Sequence, residues 1–339
     1  LIARKIPQIL KRKIMILAGD IGGTKTLLAI YDNNHCVAKH TFSSVNYATF
    51  HSLLAEFLTL IPSVRIDKVC IGVAGAIVDG NCETTNLPWK LICSEIGEQL
   101  NCSQVKLLND LEAAAWGVLS LPETDFAHLN PNAKAGQGNC AVLAAGTGLG
   151  EAIIFHDGEK HHVIANEGGH CDFAPTDSEQ MALLAFMQTR FHQHVSYERL
   201  VSGAGIEAIY DFLSETNEYP FSEAFAQKLN HADDKAAIIG AAAVAQIDEL
   251  CVKTLELFSK IYGAEAGNLA LKCLPHGGVY LTGGIGLKCL PILQKGAFLE
   301  SFLAKGRFRT MLEKIPVKVC TQADVVLLGA LHYARIITS

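Results

Sequence analysis

The sequence predicts an α/β chain built around a duplicated strand-hairpin unit, and three stretches predict it. An apolar run, Ile16-Leu17-Ala18, passes Gly19-Asp20-Ile21, turns through Gly22-Gly23-Thr24 and resumes as Leu27-Leu28-Ala29-Ile30-Tyr31. The phrase returns as Cys140-Ala141-Val142-Leu143-Ala144-Ala145, the turn Gly146-Thr147-Gly148-Leu149-Gly150 and the run Ala152-Ile153-Ile154-Phe155. A third apolar-to-glycine transition, Val279-Tyr280-Leu281-Thr282-Gly283-Gly284-Ile285-Gly286, follows near the end.

Apolar runs on both sides of a glycine turn read as a strand hairpin. The first closes on Asp32-Asn33-Asn34 and the second on Asp157-Gly158. Glycines at such a turn let backbone N–H groups approach a ligand that a Cβ would push away. Asp20 at the strand end would repel a bare phosphate but suits one that carries Mg²⁺. One such cluster alone reads equally well as a plain turn; the recurrence points to phosphate. Two familiar nucleotide signatures are excluded. Gly19 to Thr26 almost spells G-x-x-x-x-G-K-[ST], but Thr24 stands where the last glycine belongs. The second turn almost spells G-x-G-x-x-G, but Glu151 replaces the last glycine and a strand follows where a helix is needed.

Val69-Cys70-Ile71-Gly72-Val73-Ala74-Gly75-Ala76 reads as a short strand, and Thr84 to Trp89 as a polar loop containing Asn86 and an aromatic. Val105-Lys106-Leu107-Leu108 is a strand ending on Asn109-Asp110, ahead of a helix over Leu111–Leu119. Asp110 has two readings there. It can cap the helix, the ordinary use of an aspartate and the one its position alone favours. It can also face a ligand, because ligands bind at the carboxyl ends of strands in open α/β sheets. Asn166-Glu167-Gly168-Gly169-His170-Cys171-Asp172 shifts the balance, since two glycines between Glu167 and His170 can present both side chains to one point. Those donors and acceptors suit a polyhydroxylated ligand better than a metal. Glu198 adds an acid before a Ser202-Gly203 helix start, and by itself reads as a solvated helix residue. Onward to about residue 275 the pattern is helical, with three-four apolar spacing over Ala241–Tyr262. The segment Ala323 to Ala330 reads as a helix packing back on the first unit.

The 339 residues suffice for two domains with a large core. A net charge of −6, with no basic stripe interleaved with aromatics, predicts no nucleic-acid partner. No apolar stretch reaches bilayer length, and Ala236–Ala245 reads as a buried helix, so no membrane role is expected. The eleven cysteines are scattered without C-x-x-C, which argues against structural zinc and for reduced thiols in a cytoplasm. Residues 1–13 are basic and read as a short extension ahead of the first strand, with Met15 a natural start. The ending Ile337-Thr338-Ser339 matches no C-terminal address signal.

Taken in order, these motifs resemble the bacterial glucokinases of the hexokinase–actin–heat-shock ATPase superfamily, from about Ile14 to near the C-terminus. The markers are Gly19 to Thr24, Asn109-Asp110, Gly146 to Gly150, Glu167 to Pro175, Glu198-Arg199-Leu200-Val201-Ser202-Gly203 and Gly283-Gly284-Ile285. The resemblance implies a two-lobed actin-like ATPase (ribonuclease H-like) fold with an interlobe cleft that closes on the sugar. The small lobe would be residues 14–120 plus 323–339, the large lobe 121–322, and 1–13 an extension. It implies an ATP:D-glucose 6-phosphotransferase using ATP and Mg²⁺, cytoplasmic and homodimeric, with Asp110 as catalytic base. Asn86, Asn109, Glu167, His170 and Glu198 would line the sugar. Asp20 would organise Mg²⁺, while Gly22, Gly23, Thr24, Gly146, Thr147 and Gly148 would hold phosphates and Gly283 and Gly284 lie near the adenosine. Lys25 stands where many relatives have asparagine; it can reach a phosphate or point to water. The cysteine-rich zinc loop of the related repressor–kinase–open-reading-frame proteins is missing after His170, so no metal ligands are expected and the non-zinc group fits better.

Rival readings keep the fold and change the task. The sugar can be mannose, fructose or an N-acetylhexosamine. A sugar-sensing regulator would need a DNA-binding domain ahead of the first strand, and thirteen residues are too few for one. An actin-like ATPase with no sugar substrate would not need the Asn109-Asp110 and Glu-Gly-Gly-His clusters.

Overall fold

A computed structural model of the chain describes residues 14–336 apart from 33–34, 62, 85, 217 and 221. The basic stretch 1–13, the turn residues Asn33 and Asn34, and the ending Ile337-Thr338-Ser339 lie outside the described residues. The chain divides into two compact units, Leu1–Ser120 with Val326–Ser339, and Leu121–Val325.

The first unit runs β1 (Met15–Ile21), β2 (Lys25–Asp32), β3 (His35–Ser43), α1 (Phe50–Leu60), β4 (Lys68–Val73), β5 (Ile77–Val78), β6 (Asn81–Glu83), β7 (Lys90–Ile92), α2 (Cys93–Leu100), β8 (Val105–Asn109) and α3 (Asp110–Ser120). Its main sheet has the order β3-β2-β1-β4-β8. β1 and β2 form the antiparallel hairpin, and β4 and β8 continue the sheet in parallel. The apolar run of β1 is unbroken because both faces of the sheet are covered. Leu17 and Ile21 point to one core with Phe50, Phe57 and Trp89. Ile16 and Ala18 point to another with Ala113 of α3 and Leu327, Ala330 and Leu331 of the C-terminal helix Val325–Ile336. Gly72 permits that second layer to sit close: a Cβ there would lie 2.6 Å from Val326 Cγ1 and 3.0 Å from Ala113 Cβ.

The second unit runs β9 (Phe126–His128), β10 (Cys140–Ala145), β11 (Leu149–His156), β12 (His161–Asn166), α4 (Ser178–Arg190), α5 (Gly203–Thr216), α6 (Glu223–Asn230), α7 (Lys235–Ala245) and α8 (Glu249–Cys273). It continues through β13 (Gly278–Thr282), α9 (Gly283–Lys288), α10 (Leu290–Leu293), α11 (Ala297–Leu303), α12 (Arg309–Leu312) and β14 (Val317–Cys320). The sheet order is β12-β11-β10-β13-β14-β9. Its first five strands repeat the senses of the first sheet: two antiparallel pairs, then two parallel ones. The expected α/β class and its duplication are therefore present in the sheet topology as well as in the glycine turns. β9 adds an antiparallel edge strand. The core gathers around α8, which buries Leu255, Phe258, Ile261, Tyr262 and Leu269.

The third glycine phrase leads into a helix: β13 runs parallel to β10, and Gly283 (φ +85°) turns the chain into α9. A strand with parallel neighbours on both sides leaves by a crossover rather than a tight return. The helical pattern expected over Ala241–Tyr262 is present and falls in two helices, α7 and α8. α7 stops at Gln246 (φ 57°), and Asp248 starts α8 by accepting the Cys251 N–H at 2.8 Å. The final helix begins at Val325, not at Ala323.

Candidate active site

In the first unit the expected site residues collect at the carboxyl ends of β1, β4 and β8. Gly22 N–H donates to Lys25 O at 2.9 Å and closes the first glycine turn. Ser44, just past β3, clamps that turn from behind. Its Oγ donates to Gly22 O at 2.9 Å, its N–H donates to Thr24 O at 2.9 Å, and its Oγ pairs with Thr26 Oγ1 at 2.9 Å. Ser44 and Thr26 are fully buried, so the turn rests on a satisfied polar pair. Asp20, just ahead of the turn, is half-buried, and Lys25 just after it is exposed.

Asn86 rides on a short loop pinned by Trp89, whose buried ring donates from Nε1 to Tyr47 O at 3.0 Å. Thr84 ties the same loop through its Oγ1 to Leu87 O at 2.8 Å. The exposed Asn86 side chain thereby lies against the first turn, where a Cβ on Gly23 would stand 2.8 Å from Asn86 Cβ. Asn86, the loop asparagine expected beside the sugar, is thus packed on the first glycine turn.

The capping question at β8–α3 has a clear answer. Asn109 Oδ1 accepts the Leu111 N–H at 3.0 Å and lies 3.4 Å from the Glu112 N–H, while its Nδ2 donates to Gly75 O at 3.1 Å. Asn109 therefore caps α3 and ties it to the end of β4. Asp110 is the first helical residue, half-buried, and takes the Leu111 N–H on Oδ1 at 2.9 Å. A carboxylate in the first turn of a helix is stabilised in its ionised form by the helix dipole. Its charge reaches Cys82, whose thiol is pushed up first by burial and then by Asp110 and Glu83.

In the second unit the remaining expected residues gather around the start of β11. Gly146 N–H donates to Gly148 O at 2.9 Å to close the second turn, and Gly203 N–H holds it by donating to Gly146 O at 2.9 Å. Thr147 is exposed at its tip. Gly283 packs on the backbone of Ala145, directly before this turn, where any Cβ would overlap the Ala145 carbonyl; Gly284 faces open space. The 3-10 turn Gly168–His170 lies on the first residues of β11: Gly169 against the Leu149 carbonyl and Gly168 against the Glu151 carboxyl. Asn166 Oδ1 accepts the Gly168 N–H at 2.8 Å and fixes the turn, leaving Glu167 and His170 exposed on either side of it.

Glu198 is not a solvated helix residue. It sits in the 3-10 turn Tyr197–Arg199, half-buried, with Oε2 accepting the Leu149 N–H at 3.0 Å and Oε1 4.0 Å from His170 Nε2. One carboxylate thus touches both the second glycine turn and the Glu-Gly-Gly-His loop. The two loops are further joined by Tyr197 N–H to Cys171 O at 3.0 Å and Phe173 N–H to Val195 O at 2.9 Å.

Sequence reading missed three residues that support these loops: Ser44, Glu151 and Glu265. Glu151 and Glu265 are each 1% exposed and lie beneath the second unit's loops. A carboxylate in the midst of an apolar strand start was the available signal for Glu151; it was used only to reject a dinucleotide motif. Among the described residues, no cluster of three or more His, Cys, Asp or Glu side chains is placed to hold a metal ion.

The glucokinase family model matches residues 17–336. The chain is 36% identical to a glucokinase of Nostoc punctiforme over 332 residues, covering 93% of this chain and 97% of that protein. It is 37% identical to a glucokinase of Synechocystis over 346 residues, covering 94% and 97% respectively. The crystal structure of a glucokinase from an Antarctic psychrotroph superposes with a TM-score of 0.82 at 28% identity, over 96% of this chain and 99% of that one.

Proposed function

The chain belongs to the glucokinase family and phosphorylates glucose with ATP, and from that premise we propose which of its residues carry the reaction. The family match over residues 17–336 carries the activity itself and favours glucose over mannose, fructose or an N-acetylhexosamine. For the residue roles, the supporting observation is the division of labour at the β8–α3 junction. Asn109 caps the helix, and Asp110 stands beside it as the first residue of the helix, its carboxyl taking the Leu111 N–H.

Phosphoryl transfer asks a protein mainly for alignment and charge neutralisation. In our reading Asp110 takes the proton from the sugar's 6-hydroxyl as that oxygen attacks the terminal phosphorus of ATP. The bond from that phosphorus to its bridging oxygen breaks, and glucose 6-phosphate and ADP result. Asn109, Glu167, His170 and Glu198 hold the sugar hydroxyls, with Asn86 lining the sugar side. The turns Gly22–Thr24 and Gly146–Gly148 direct backbone N–H groups at the phosphates, and Gly283 with Gly284 lies near the adenosine. Gly146, Gly148 and Gly284 carry no side chain where a ligand must come close, and the space a Cβ would fill at Gly146 and Gly284 is open. Asp20 fits an ion that arrives on the nucleotide, since Mg²⁺ is held by one or two carboxylates plus substrate phosphates rather than by an all-protein cage. Bound there, Mg²⁺ would offset charge on the transferring group.

We place the protein in the cytoplasm, supported by the free state of the cysteines among the described residues. No described helix is long and apolar enough to cross a membrane. A homodimer is the assembly the family resemblance implies, and light scattering on the purified chain tests it. The activity is tested by a panel of hexoses with ATP and Mg²⁺, reading which sugar, and which hydroxyl, gains phosphate. Glucose 6-phosphate as the main product is the expected result; a stronger preference for another hexose, or ATP hydrolysis indifferent to sugar, would overturn it.

A further inference from the structure

Beneath the loops assigned to the sugar lies a pair of acids that no step above uses. Glu151, on β11, faces Glu265 from α8, and each is 1% exposed. Neither Glu151 oxygen meets an N–H or hydroxyl donor among the described residues, and neither does Glu265 Oε1. Glu265 Oε2 accepts Asn268 Nδ2 at 2.8 Å. Two facing buried carboxyls, one of them with no donor on either oxygen, favour holding a proton, since neighbouring like charges do not both ionise readily away from water.

Both sugar loops rest on this pair. Glu151 Oε2 occupies the space that a Cβ on Gly168 would need, directly under the Glu167–His170 turn. Through Asn268, whose Nδ2 also reaches Tyr197 Oη at 3.0 Å, Glu265 supports the residue next to Glu198. We propose that Glu151 and Glu265 act as positioning residues, a proton-sharing carboxyl pair that holds the Glu167–His170 and Tyr197–Arg199 turns in register for the sugar. This rests on the assignment of those turns to glucose made above.

The surroundings say which way the pair responds to pH. Burial raises the Glu151 carboxyl, and the neighbouring Glu265 raises it further; burial also raises Glu265. The cations nearby stand on the Glu265 side. Lys272 Nζ is 3.9 Å from Glu265 Oε1, and Lys305 Nζ is bonded to Asn268 Oδ1 at 2.6 Å. Tyr197, Tyr262 and Cys273 also face the pair and are held neutral by burial first. Rising pH removes the shared proton, the two carboxylates repel, and Glu151 is pressed against Gly168. The sugar turn is displaced while the phosphate turns keep their own hydrogen bonds. Loss of glucose binding on the alkaline side is the consequence.

The test is the pH dependence of glucose KM, ATP KM and kcat between about pH 6 and pH 9, in the parent, Glu151→Gln, Glu151→Ala and Glu265→Gln. In the parent, glucose KM should climb by up to about tenfold per pH unit above the point where the proton is lost, with ATP KM unmoved. Glu151→Gln supplies an N–H donor that does not titrate, so its glucose KM should stay flat with pH and lie below that of Glu151→Ala. Glu265→Gln should flatten the profile in the same way. Stability gives a second readout. An acid that folding keeps protonated binds its proton more tightly folded than unfolded, so its contribution falls as pH rises above the ordinary glutamate range. Thermal melting of the parent should show that decline, and Glu151→Gln should lessen it. A parent glucose KM that is flat to pH 9, or the same alkaline rise in Glu151→Gln, overturns the proposal. If Glu167→Ala raises glucose KM while Glu151→Gln keeps the parent profile, only the pair's role fails. If Glu167→Ala leaves glucose KM normal, the loop assignment itself has failed.

Discussion

Replacing Gly168 with alanine should damage glucose binding and leave nucleotide binding nearly intact. The added methyl would enter the space of Glu151 Oε2 and stand 2.8 Å from Glu151 Cδ and 2.7 Å from Asn166 Oδ1. Neither neighbour can withdraw easily. Glu151 is 1% exposed and backed by Glu265, and Asn166 Oδ1 already holds the Gly168 N–H at 2.8 Å. The turn itself must move, carrying Glu167 and His170 with it. Overpacking of this kind typically costs about 1–3 kcal/mol. If that cost falls on the sugar-competent arrangement of the turn, glucose KM rises about 5- to 150-fold, at about 1.4 kcal/mol per decade. Steady-state kinetics with glucose 6-phosphate formation coupled to a dehydrogenase measures it directly. Gly146→Ala is the matched control: its Cβ meets nothing within 4 Å, so the protein accommodates it and any effect should fall on ATP. A Gly168→Ala enzyme with glucose KM within twofold of the parent would refute the packing argument.

Ser44→Ala should raise ATP KM and lower the melting temperature, with glucose KM little changed. It strands the buried Thr26 hydroxyl and the Gly22 carbonyl, a loss of about 1–3 kcal/mol. Unaltered ATP KM and melting temperature would show that the first turn does not depend on this clamp. Glu167→Ala and His170→Ala should each raise glucose KM while ATP KM holds, because a site built for hydroxyls is left with unpaired groups; a normal glucose KM in both would remove that turn from the sugar site.

Much of this was legible because glycine clusters interrupt apolar runs so sharply. Gly22-Gly23-Thr24 and Gly146-Thr147-Gly148 could be placed as hairpin turns by local chemistry alone, and the repeated phrase anticipated a duplicated unit; the matching order of the two sheets lay beyond it. The third phrase has the same composition, and only the parallel neighbours of Gly278–Thr282 decide that a helix follows it. Asp110 looked like the cap because aspartate and asparagine do that work equally well; which of the two took it depended on Gly75, a partner 34 residues away. Ser44 was invisible for the same reason, being tied to Gly22 across the β2–β3 hairpin. Glu265 could not be found by periodicity, because α8 is covered on nearly all sides and has no clean polar face from which a buried acid would stand out.

The most direct test of the whole account is Asp110→Ala, with turnover measured by glucose 6-phosphate release and glucose binding measured by calorimetry on the same preparation. Loss of a general base should lower kcat by about 10²–10⁴ while the glucose dissociation constant stays within a few-fold of the parent. Turnover within about tenfold of the parent would contradict the assignment of Asp110 as the base.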